Sequence, residues 1–340
     1  MHDKLINEEG VYWSGSIDKI VTIALQNLGH KLCLHFQVES DRTEELLQNF
    51  TIKSESSGHN NQICLIDFYD NKKNFIGDIC LKYAFEQERK EDLQIELNIL
   101  NILQTNNILC PSIVDANFSH KNPSYILMET IKGRCINKQI INLEEARGIL
   151  DVIQSHESVL LDNLLILQSS VDISYLDREI DFEKKLSDFL INFAPNFIAR
   201  SSFDFLNSIL NHSAVIKKRS IVTDRSAENI FIDENNQISM IDFSTIRIGT
   251  QFDNWIQFID DPRATFSCTK EELITTLFKK NGLLENELVS FYASSIYTNL
   301  LQGIFTYRKS PRLGIDYINN VNNSFKKLMN KKCVLIDIIH

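Results

Sequence analysis

The stretch from residue 221 to residue 244 constrains the fold more than any other part of the sequence. Asp224 is followed five residues later by Asn229. A short apolar run, a polar turn and a second apolar run then lead to Asp242. This order predicts a loop that opens into a tight hairpin, with Asn229 at the entrance and Asp242 at the exit. We therefore expect the three side chains to come together in one small volume.

Such a set of side chains suits phosphoryl transfer. Hard divalent cations such as Mg²⁺ take oxygen ligands, and commonly use one or two protein carboxylates while phosphates and water complete the shell. Asn229 and Asp242 are the candidate metal ligands, and Asp224 is the candidate catalytic residue that orients an attacking hydroxyl. An ordinary surface hairpin also often contains Asp and Asn, so residues 221–244 by themselves leave this alternative open.

The same residues resemble the catalytic and metal-binding loops of the protein-kinase-like superfamily, in the branch of aminoglycoside phosphotransferases and choline kinases. The resemblance rests on residues 224–226, 229–230 and 241–243. It implies an α+β, bilobal protein-kinase-like fold, with a small N-lobe built on an antiparallel sheet and a larger, mainly helical C-lobe. The implied cofactors are ATP and Mg²⁺. The implied activity moves the γ-phosphate to a hydroxyl of an aminoglycoside-, choline- or sugar-like acceptor.

The chain departs from this family pattern just before the catalytic Asp. Val222 and Thr223 stand where the family normally has His-Gly. Because that His helps to hold the main chain of the loop, a catalytically weak pseudokinase or nucleotide-binding scaffold remains an alternative. The retention of all three polar residues favours an active enzyme. Ser226 stands where protein kinases usually have Lys, which disfavours a protein-directed kinase, and an AMP transferase also stays open.

Lys82 and Glu96 form a second candidate set. Lys82 lies near the end of an apolar strand pattern, and Glu96 follows fourteen residues later among the apolar positions of a helical pattern. A charge in either setting needs a partner, because burying it unpaired is costly. The pair resembles the kinase-like Lys–Glu couple that holds the α- and β-phosphates. A Lys at a strand end and a Glu on a solvated helix face are the alternative.

A polar turn predicted at residues 54–60 is a candidate phosphate-binding loop. Backbone N–H groups in such a loop can cradle phosphate oxygens, which makes Ser56, Ser57 and Gly58 candidates for cofactor binding. The turn contains a single Gly, so a plain hairpin loop is an equally consistent interpretation.

The apolar strand predicted at residues 124–129 resembles the hinge of the aminoglycoside phosphotransferases. In that family the main chain just after the strand hydrogen-bonds to adenine. The resemblance gives this role to Glu129 and Ile131, with Met128 as an apolar gatekeeper. A buried edge strand that ends at Gly133 is the alternative.

The patterns divide the chain into an N-terminal extension packed on the N-lobe (1–49), a nucleotide-binding N-lobe (50–130) and a helical C-lobe with both loops (131–340). Strands are predicted at 50–53, 63–69 and 78–83, and less clearly at 32–38. Helices are predicted at 16–29 with Gly29 as the stop, and at 41–48, 143–161, 175–193, 197–210, 270–279, 283–305 and 314–329. Residues 249–253 resemble the segment that follows the metal loop in the same family. This resemblance implies that Asp253 braces the catalytic loop by accepting backbone N–H bonds.

Composition and charge limit the partners. The formal net charge of −10 disfavours a nucleic-acid partner. The sequence has neither an uncharged apolar run long enough to cross a bilayer nor a secretory signal pattern. Its seven cysteines form no Cys-x-x-Cys pair, which indicates reduced core residues. We therefore expect a cytoplasmic protein that binds a small-molecule acceptor with a hydroxyl group, no nucleic acid and no membrane. The sequence does not predict the oligomeric state.

Overall fold

The structure, a computed structural model, describes residues 5–6, 12–13, 21, 25, 28–57, 62–84, 87–118, 124–170, 219–307 and 309–330. The chain divides into two compact units. The first comprises residues 1–132 and 241–245, and the second comprises residues 133–240 and 246–340. The helices predicted at 175–193 and 197–210 lie outside the described residues.

The first unit is built on an antiparallel sheet of five strands in the order β3-β4-β5-β7-β6. Strands β1 and β2 form a separate antiparallel pair. The elements are β1 (Leu5–Ile6), β2 (Tyr12–Trp13), α1 (Gly29–Phe36), α2 (Thr43–Gln48), β3 (Phe50–Ser57), β4 (Gln62–Tyr69), β5 (Phe75–Ala84), α3 (Gln87–Thr105), β6 (Ile113–Asn117) and β7 (Ser124–Glu129).

The sheet is covered by helices on both faces. Leu32 and Leu46, from α1 and α2, pack in one apolar cluster with sheet residues such as Phe68. Leu93 of α3 packs in a second cluster with Met128 of β7. Because apolar side chains of the strands are buried on both faces, the sheet is a central layer of the first unit.

The strand predicted at 32–38 is wrong, because most of this segment is the helix α1. Leu28, Leu32 and Cys33 are buried together, whereas Leu34 is exposed. Spacings of four and five residues place the buried side chains on one helical face, and the partial alternation that suggested a strand is coincidental. Gly29 begins this helix and is not a stop. Most of the helix predicted at 16–29 lies outside the described residues.

Strand β3 runs further than the sequence predicted. It continues to Ser57, which pairs with Gln62 of β4. The predicted turn at 54–60 is therefore too long at its start, because its first four residues form ladder pairs. Polar composition suggested a loop there, and cross-strand pairing overrode it.

Over its described residues, the second unit is mainly helical and carries three small sheets. Strand β10 pairs with β13, β11 pairs with both β12 and β8, and β9 pairs in parallel with β14. The elements are β8 (Arg134–Cys135), β9 (Ile140–Ile141), α4 (Leu143–Asp162), α5 (Leu164–Ser170), β10 (Arg219–Thr223), β11 (Ile230–Ile232), β12 (Ile238–Met240), β13 (Ile246–Thr250), α6 (Asp253–Ile259), β14 (Thr265–Phe266), α7 (Lys270–Lys280), α8 (Glu285–Tyr307) and α9 (Pro311–Asn330).

Local chemistry explains where two of these helices begin. Asn142 before α4 and Thr269 before α7 each accept a hydrogen bond from the backbone N–H three residues later. In turn, the side chains of Glu145 and Glu272 each accept a hydrogen bond from the backbone N–H of the cap residue. These capping boxes satisfy N–H groups that have no partner inside the helix.

The helical core is organised by aromatic side chains and close helix contact. Phe252 makes edge contacts with Trp255 and Phe291, at ring centroid distances of 5.8 and 5.6 Å. Trp255 and Phe258 are buried and belong to this core. Helices α8 and α9 approach so closely that a Cβ on Gly314 would lie 2.7 Å from the Cα of Tyr307, so only glycine fits there.

Two further properties concern only the part of the chain that the structure describes. No helix there combines the length and the apolar character that crossing a bilayer requires. The six cysteines described there are free thiols, in agreement with the reduced state predicted from the sequence.

Candidate active site

In the first unit, three charged side chains from distant parts of the sequence meet. Lys82 of β5 donates to Oε2 of Glu96 in α3 at 2.6 Å and to Oδ1 of Asp242 at 2.9 Å. The side chains of Lys82 and Glu96 are only 6% and 3% exposed. Oε1 of Glu96 also accepts the backbone N–H of Phe243 at 3.4 Å. The partners that the sequence required for Lys82 and Glu96 are therefore each other, with Asp242 as a third member.

Asp242 has an unusual backbone conformation. Its φ angle is 60°, in the left-handed region that non-glycine residues seldom adopt and that often marks a functional site. Ser244 donates to Oδ1 of Asp242 at 2.7 Å. The Asp242 side chain is 37% exposed, so its carboxylate remains accessible to a ligand while one oxygen is held by Lys82 and Ser244.

The charges of this group stabilise one another. Burial opposes ionisation of Asp242, but the ammonium of Lys82 and the hydrogen bond from Ser244 outweigh it and lower the pKa of the carboxyl. Burial likewise disfavours the ammonium of Lys82, yet the two carboxylates raise its pKa. Both shifts favour the charged forms, the ammonium of Lys82 and the carboxylate of Asp242.

Met128 of β7 lies close to Lys82 in the pairing of β5 with β7. Cys80 of β5 pairs with Met128 of β7, and Lys82 pairs with Ile126. Because alternate residues of a strand share a face, Met128, Cys80 and Lys82 lie on the same face of the sheet. Met128 is only 6% exposed, as an apolar gatekeeper requires.

The hinge segment after β7 has one backbone group already engaged. The N–H of Glu129 donates to the carbonyl oxygen of Ser112 at 2.8 Å, so it is not available to a base. The main chain at Glu129 and Ile131 stays the predicted partner of adenine. The hydroxyl of Thr130 is buried and has no partner among the described residues, which leaves a polar group beside this segment for a ligand or water.

The candidate phosphate loop is described only in part. Ser56 pairs with Ile63 of β4, which pairs with Lys82 of β5. The backbone of Ser56 thus lies in the same cross-strand row as Lys82. Ser57 is the last residue of β3, and Gly58 lies outside the described residues, so phosphate binding by this turn stays a prediction.

In the second unit, the loop between β10 and β11 is closed by hydrogen bonds among its own polar residues. Oδ1 of Asp224 accepts the backbone N–H of Ser226 at 3.0 Å. Asn229 donates from Nδ2 to Oγ of Ser226 at 3.2 Å, and its backbone N–H donates to the carbonyl of Ser226 at 2.9 Å. The side-chain nitrogen of Asn229 is thereby bonded to Ser226, and the metal-binding role of its side-chain oxygen stays a prediction.

Three side chains hold alternate backbone N–H groups of this catalytic loop. Oδ1 of Asn254 accepts from Thr223 at 3.2 Å, and Oε1 of Gln257 accepts from Arg225 at 3.2 Å. Oδ2 of Asp261 accepts from residue 227 at 2.7 Å. Asn254 also donates from Nδ2 to the carbonyl of residue 221 at 2.8 Å. The spacing of three residues places Asn254 and Gln257 on one face of α6, and Asp261 follows just after the end of this helix.

The bracing role predicted for Asp253 is therefore wrong, and Asn254, Gln257 and Asp261 perform it. Asp253 accepts instead from Arg247 at 2.9 Å, from the backbone N–H of Thr250 at 3.1 Å and from Thr298 at 3.1 Å. Adjacent residues of a helix point about 100° apart, so Asp253 lies against β13 and α8. The sequence could have suggested Asn254 and Gln257 by their helical spacing, but not the direction that their side chains face.

Charged residues surround the catalytic loop. Arg225 is only 1% exposed, and burial lowers its pKa to about 10, partly offset by Asp224 and Glu157. Arg263 forms an ion pair with Asp261 at 2.9 Å and another with Glu228 at 2.6 Å. The loop is thus held by ionic contacts as well as by backbone hydrogen bonds.

The side chains predicted as metal ligands are of the chemical types that Mg²⁺ takes together with phosphates. Among the residues that the structure describes, no group of three or more His, Cys, Asp or Glu side chains could hold a metal by itself. Mg²⁺ does not need such a group, because one or two carboxylates with phosphates and water suffice. Asp242 and Asn229 supply a carboxylate and an amide. The predicted convergence of Asp242 with Asp224 and Asn229 stays a prediction, because Asp242 belongs to the first unit and the other two to the second.

The antiparallel sheet with its Lys–Glu pair and the mainly helical unit with its loop and hairpin together define a protein-kinase-like fold. No family model matches the sequence, and neither does any curated protein.

Solved structures do match. The chain is 18% identical to the aminoglycoside phosphotransferase APH(2")-IIa in its gentamicin complex, with a TM-score of 0.51 over 84% of this chain and 96% of that one. For ADP-bound APH(2'')-Ib the identity is 16% and the TM-score 0.51, over 85% and 99% of the chains. For choline kinase LicA from Streptococcus pneumoniae they are 11% and 0.51, over 83% and 95%. These similarities confirm the predicted fold class.

Proposed function

We propose that this chain is an ATP- and Mg²⁺-dependent phosphotransferase that moves the γ-phosphate of ATP to a hydroxyl of a small molecule. The observation that carries the proposal is the buried contact of Lys82 with both Glu96 and Asp242. A buried ion pair is an expensive way to stabilise a fold. This pair lies beside Asp242, whose carboxylate is partly exposed and whose backbone is strained. Such a position is explained if the site holds positive charges next to the phosphates of a nucleotide.

The remaining roles follow from the chemistry of each side chain. Lys82 binds the phosphates of ATP, and Glu96 fixes its position. Met128, the carbonyl of Glu129 and the N–H of Ile131 receive adenine. Asp242 and Asn229 would hold Mg²⁺, which when bound neutralises charge on the phosphate oxygens. Segment 56–58 contributes backbone N–H groups to the phosphates.

Asp224 orients the acceptor hydroxyl and accepts its proton. Its backbone lies between residues whose N–H groups are held by Asn254 and Gln257. A rigid loop keeps a catalytic group in position before the substrate binds, and such positioning is a large part of catalysis. The bracing supports an active enzyme over a pseudokinase, since the absent His-Gly was the reason to doubt the loop.

The proposed acceptor is a small molecule with an aminoglycoside-, choline- or sugar-like hydroxyl. The structural neighbours, which include aminoglycoside phosphotransferases and a choline kinase, support this class. The net charge of −10 is compatible with a cationic acceptor. We place the reaction in the cytoplasm. A protein-directed kinase and an AMP transferase are the competing outcomes of the tests.

The variant Asp224→Asn tests the catalytic assignment. We expect turnover of ATP in the presence of acceptor to fall at least about a hundredfold, because the amide cannot take the proton. Stabilisation by ATP and Mg²⁺ in a thermal shift assay should remain. The exposed Asp162 at the end of α4 provides a matched control, and Asp162→Asn should behave as wild type.

A slow-hydrolysis assay after the thermal shift separates the enzyme from the scaffold. Binding of ATP and Mg²⁺ without any turnover would support the pseudokinase. Turnover of Asp224→Asn close to that of wild type would show that the catalytic residue is assigned wrongly.

A further inference from the structure

Asp260, the residue that ends helix α6, carries a carboxylate at which three further helices of the second unit meet. The residue is only 8% exposed. Its Oδ2 accepts hydrogen bonds from the hydroxyl of Ser295 and from Nδ2 of Asn299, both at 2.7 Å. Its Oδ1 accepts from Nζ of Lys270 at 3.1 Å, and its backbone carbonyl accepts from Nδ2 of Asn320 at 2.6 Å. Asp260 is therefore held by α7, α8 and α9 together.

Helices α8 and α9 each bring two polar side chains to this carboxylate or next to it. Ser295 and Asn299 lie one turn apart on α8, and residues 320 and 324 lie one turn apart on α9. The hydroxyls of Ser295 and Ser324 share a hydrogen bond of 2.7 Å. Because buried polar groups are costly unless they are satisfied, an acceptor between these helices is needed by the donors as well as by the fold of α6.

Asp261, the next residue, faces the catalytic loop. Its Oδ2 accepts the backbone N–H of Ala227 at 2.7 Å. Its Oδ1 accepts the backbone N–H of Arg263 at 2.9 Å, and the guanidinium of Arg263 donates to both oxygens at 2.9 and 3.0 Å. These contacts orient the carboxylate of Asp261. The position of its Cα depends on Asp260, because consecutive Cα atoms lie a fixed 3.8 Å apart.

We propose that Asp260 is a positioning residue for the catalytic loop. Anchored to α7, α8 and α9, it fixes Asp261 at the place where the carboxylate of Asp261 meets the N–H of Ala227. The catalytic consequence rests on the proposed function, because that function assigns the catalytic role to Asp224 in the same loop. The geometric part concerns only hydrogen bonds within the second unit.

The loop contains an internal reference that separates positioning from general stabilisation. The N–H of Thr223 is held by Asn254, inside α6, whereas the N–H of Ala227 is held by Asp261, just beyond the end of this helix. A general loss of stability increases hydrogen exchange at both amides through the same global opening. Loss of the anchor at the end of α6 should act mainly on Ala227. The ratio of the two exchange rates therefore reports on positioning.

Two variants of Asp260 form the test. Asp260→Leu keeps the number and branching of the side-chain atoms but removes every acceptor, whereas Asp260→Asn keeps an oxygen for Ser295 and Asn299. We expect Asp260→Leu to raise exchange at Ala227 at least about tenfold more than at Thr223. It should lower kcat about tenfold while the KM for ATP stays within about twofold. Asp260→Asn should restore both the exchange ratio and kcat to within about threefold of wild type.

The chain offers a matched control and a milder variant. Asp151 forms an exposed ion pair with Lys280, and Asp151→Leu should resemble wild type in both measurements. Should Asp260→Leu not fold, Asn320→Leu takes its place, since it removes the donor to the backbone carbonyl of Asp260 and leaves the carboxylate intact. We expect it to raise exchange at Ala227 at least about threefold more than at Thr223.

Equal changes of exchange at Ala227 and Thr223 in Asp260→Leu, or in Asn320→Leu where it takes that place, would overturn the proposal. So would a failure of Asp260→Asn to restore the ratio. An altered ratio with unchanged kcat would show that the anchor serves only the fold, and would overturn the positioning role as well. Hydrogen exchange needs no substrate, so absence of phosphotransfer in wild type and every variant would refute the proposed function and leave the exchange test intact.

Discussion

At the scale of single residues, Lys82 carries a charge that its buried environment would disfavour without two carboxylate partners. Its ammonium is almost completely buried and depends on Glu96 and Asp242 for compensation. Removing one member of a buried ion pair leaves the other charge without a partner, which is strongly destabilising. Lys82 therefore affects the fold of the first unit as well as the proposed binding of phosphate, and a test must separate the two.

A pair of variants makes that separation. Lys82→Met should destabilise the protein by about 3–5 kcal/mol, because Glu96 stays buried without its cation. Lys82→Met combined with Glu96→Gln should regain most of this loss, since the uncompensated charge is removed. Turnover should stay at least about a hundredfold below wild type in both variants. Chemical unfolding and an ATP turnover assay measure the two effects.

The exposed Lys72 provides the control, and Lys72→Met should match wild type in both assays. Recovery of turnover together with stability in the double variant would show that Lys82 serves only the fold.

The sequence predicted the partners of Lys82 and Glu96 because each charge interrupts an apolar pattern. It did not predict Asn254 as a brace, although the neighbouring Asp253 was singled out. In the sequence, the carboxylate of Asp253 and the amide of Asn254 look equally suitable as braces. Which of them faces the loop depends on the rotation of α6 about its axis. Packing of Phe252 and Trp255 fixes that rotation, and sequence periodicity does not reveal it.

At the scale of elements, α6 and the residues just after it form a support for the catalytic loop. Every residue of this helix is buried, and the polar side chains of Asn254 and Gln257 each hold a backbone N–H group. Buried polar side chains in a short helix are costly unless they are satisfied. Their satisfaction by the loop ties the position of the loop to the helical core.

Gln257→Met tests this coupling between elements. The variant keeps the size of the side chain but leaves the N–H of Arg225 without its acceptor. We expect a loss of stability of about 1–3 kcal/mol, measured by chemical unfolding, and a fall in turnover of about tenfold. Gln251, which is partly exposed and contacts Glu287 at 3.4 Å, is the control. Gln251→Met should change stability by less than about 0.5 kcal/mol, and a Gln257→Met protein equal to it would contradict the bracing role.

The ends of helices could be predicted where the apolar periodicity was long and a capping residue preceded it. Helix α4 was predicted at 143–161 and α7 at 270–279, each within one residue of the observed end. Short segments were less predictable. Segment 32–38 was assigned the wrong periodicity, and the start of the turn at 54–60 was assigned by polarity although it pairs with β4. Both errors come from tertiary contacts that override local pattern.

At the scale of the whole molecule, the fold is shared with phosphotransferases at identities of only 11 to 18%. Such similarity is carried by the pattern of strands and helices. It does not fix the acceptor, because function depends on the chemistry of the site. The motifs specify a nucleotide more closely than an acceptor, since the residues proposed to bind ATP lie in short, regular segments.

The most direct test of the central claim follows the phosphoryl group itself. The protein is incubated with Mg²⁺, a set of hydroxyl-bearing small molecules and ATP labelled with ¹⁸O on the γ-phosphate, and the products are analysed by mass spectrometry. We predict that one acceptor class gains a single phosphoryl group that carries the label, and that Asp224→Asn makes none. The absence of any labelled product, or a product that gains unlabelled AMP, would contradict the account.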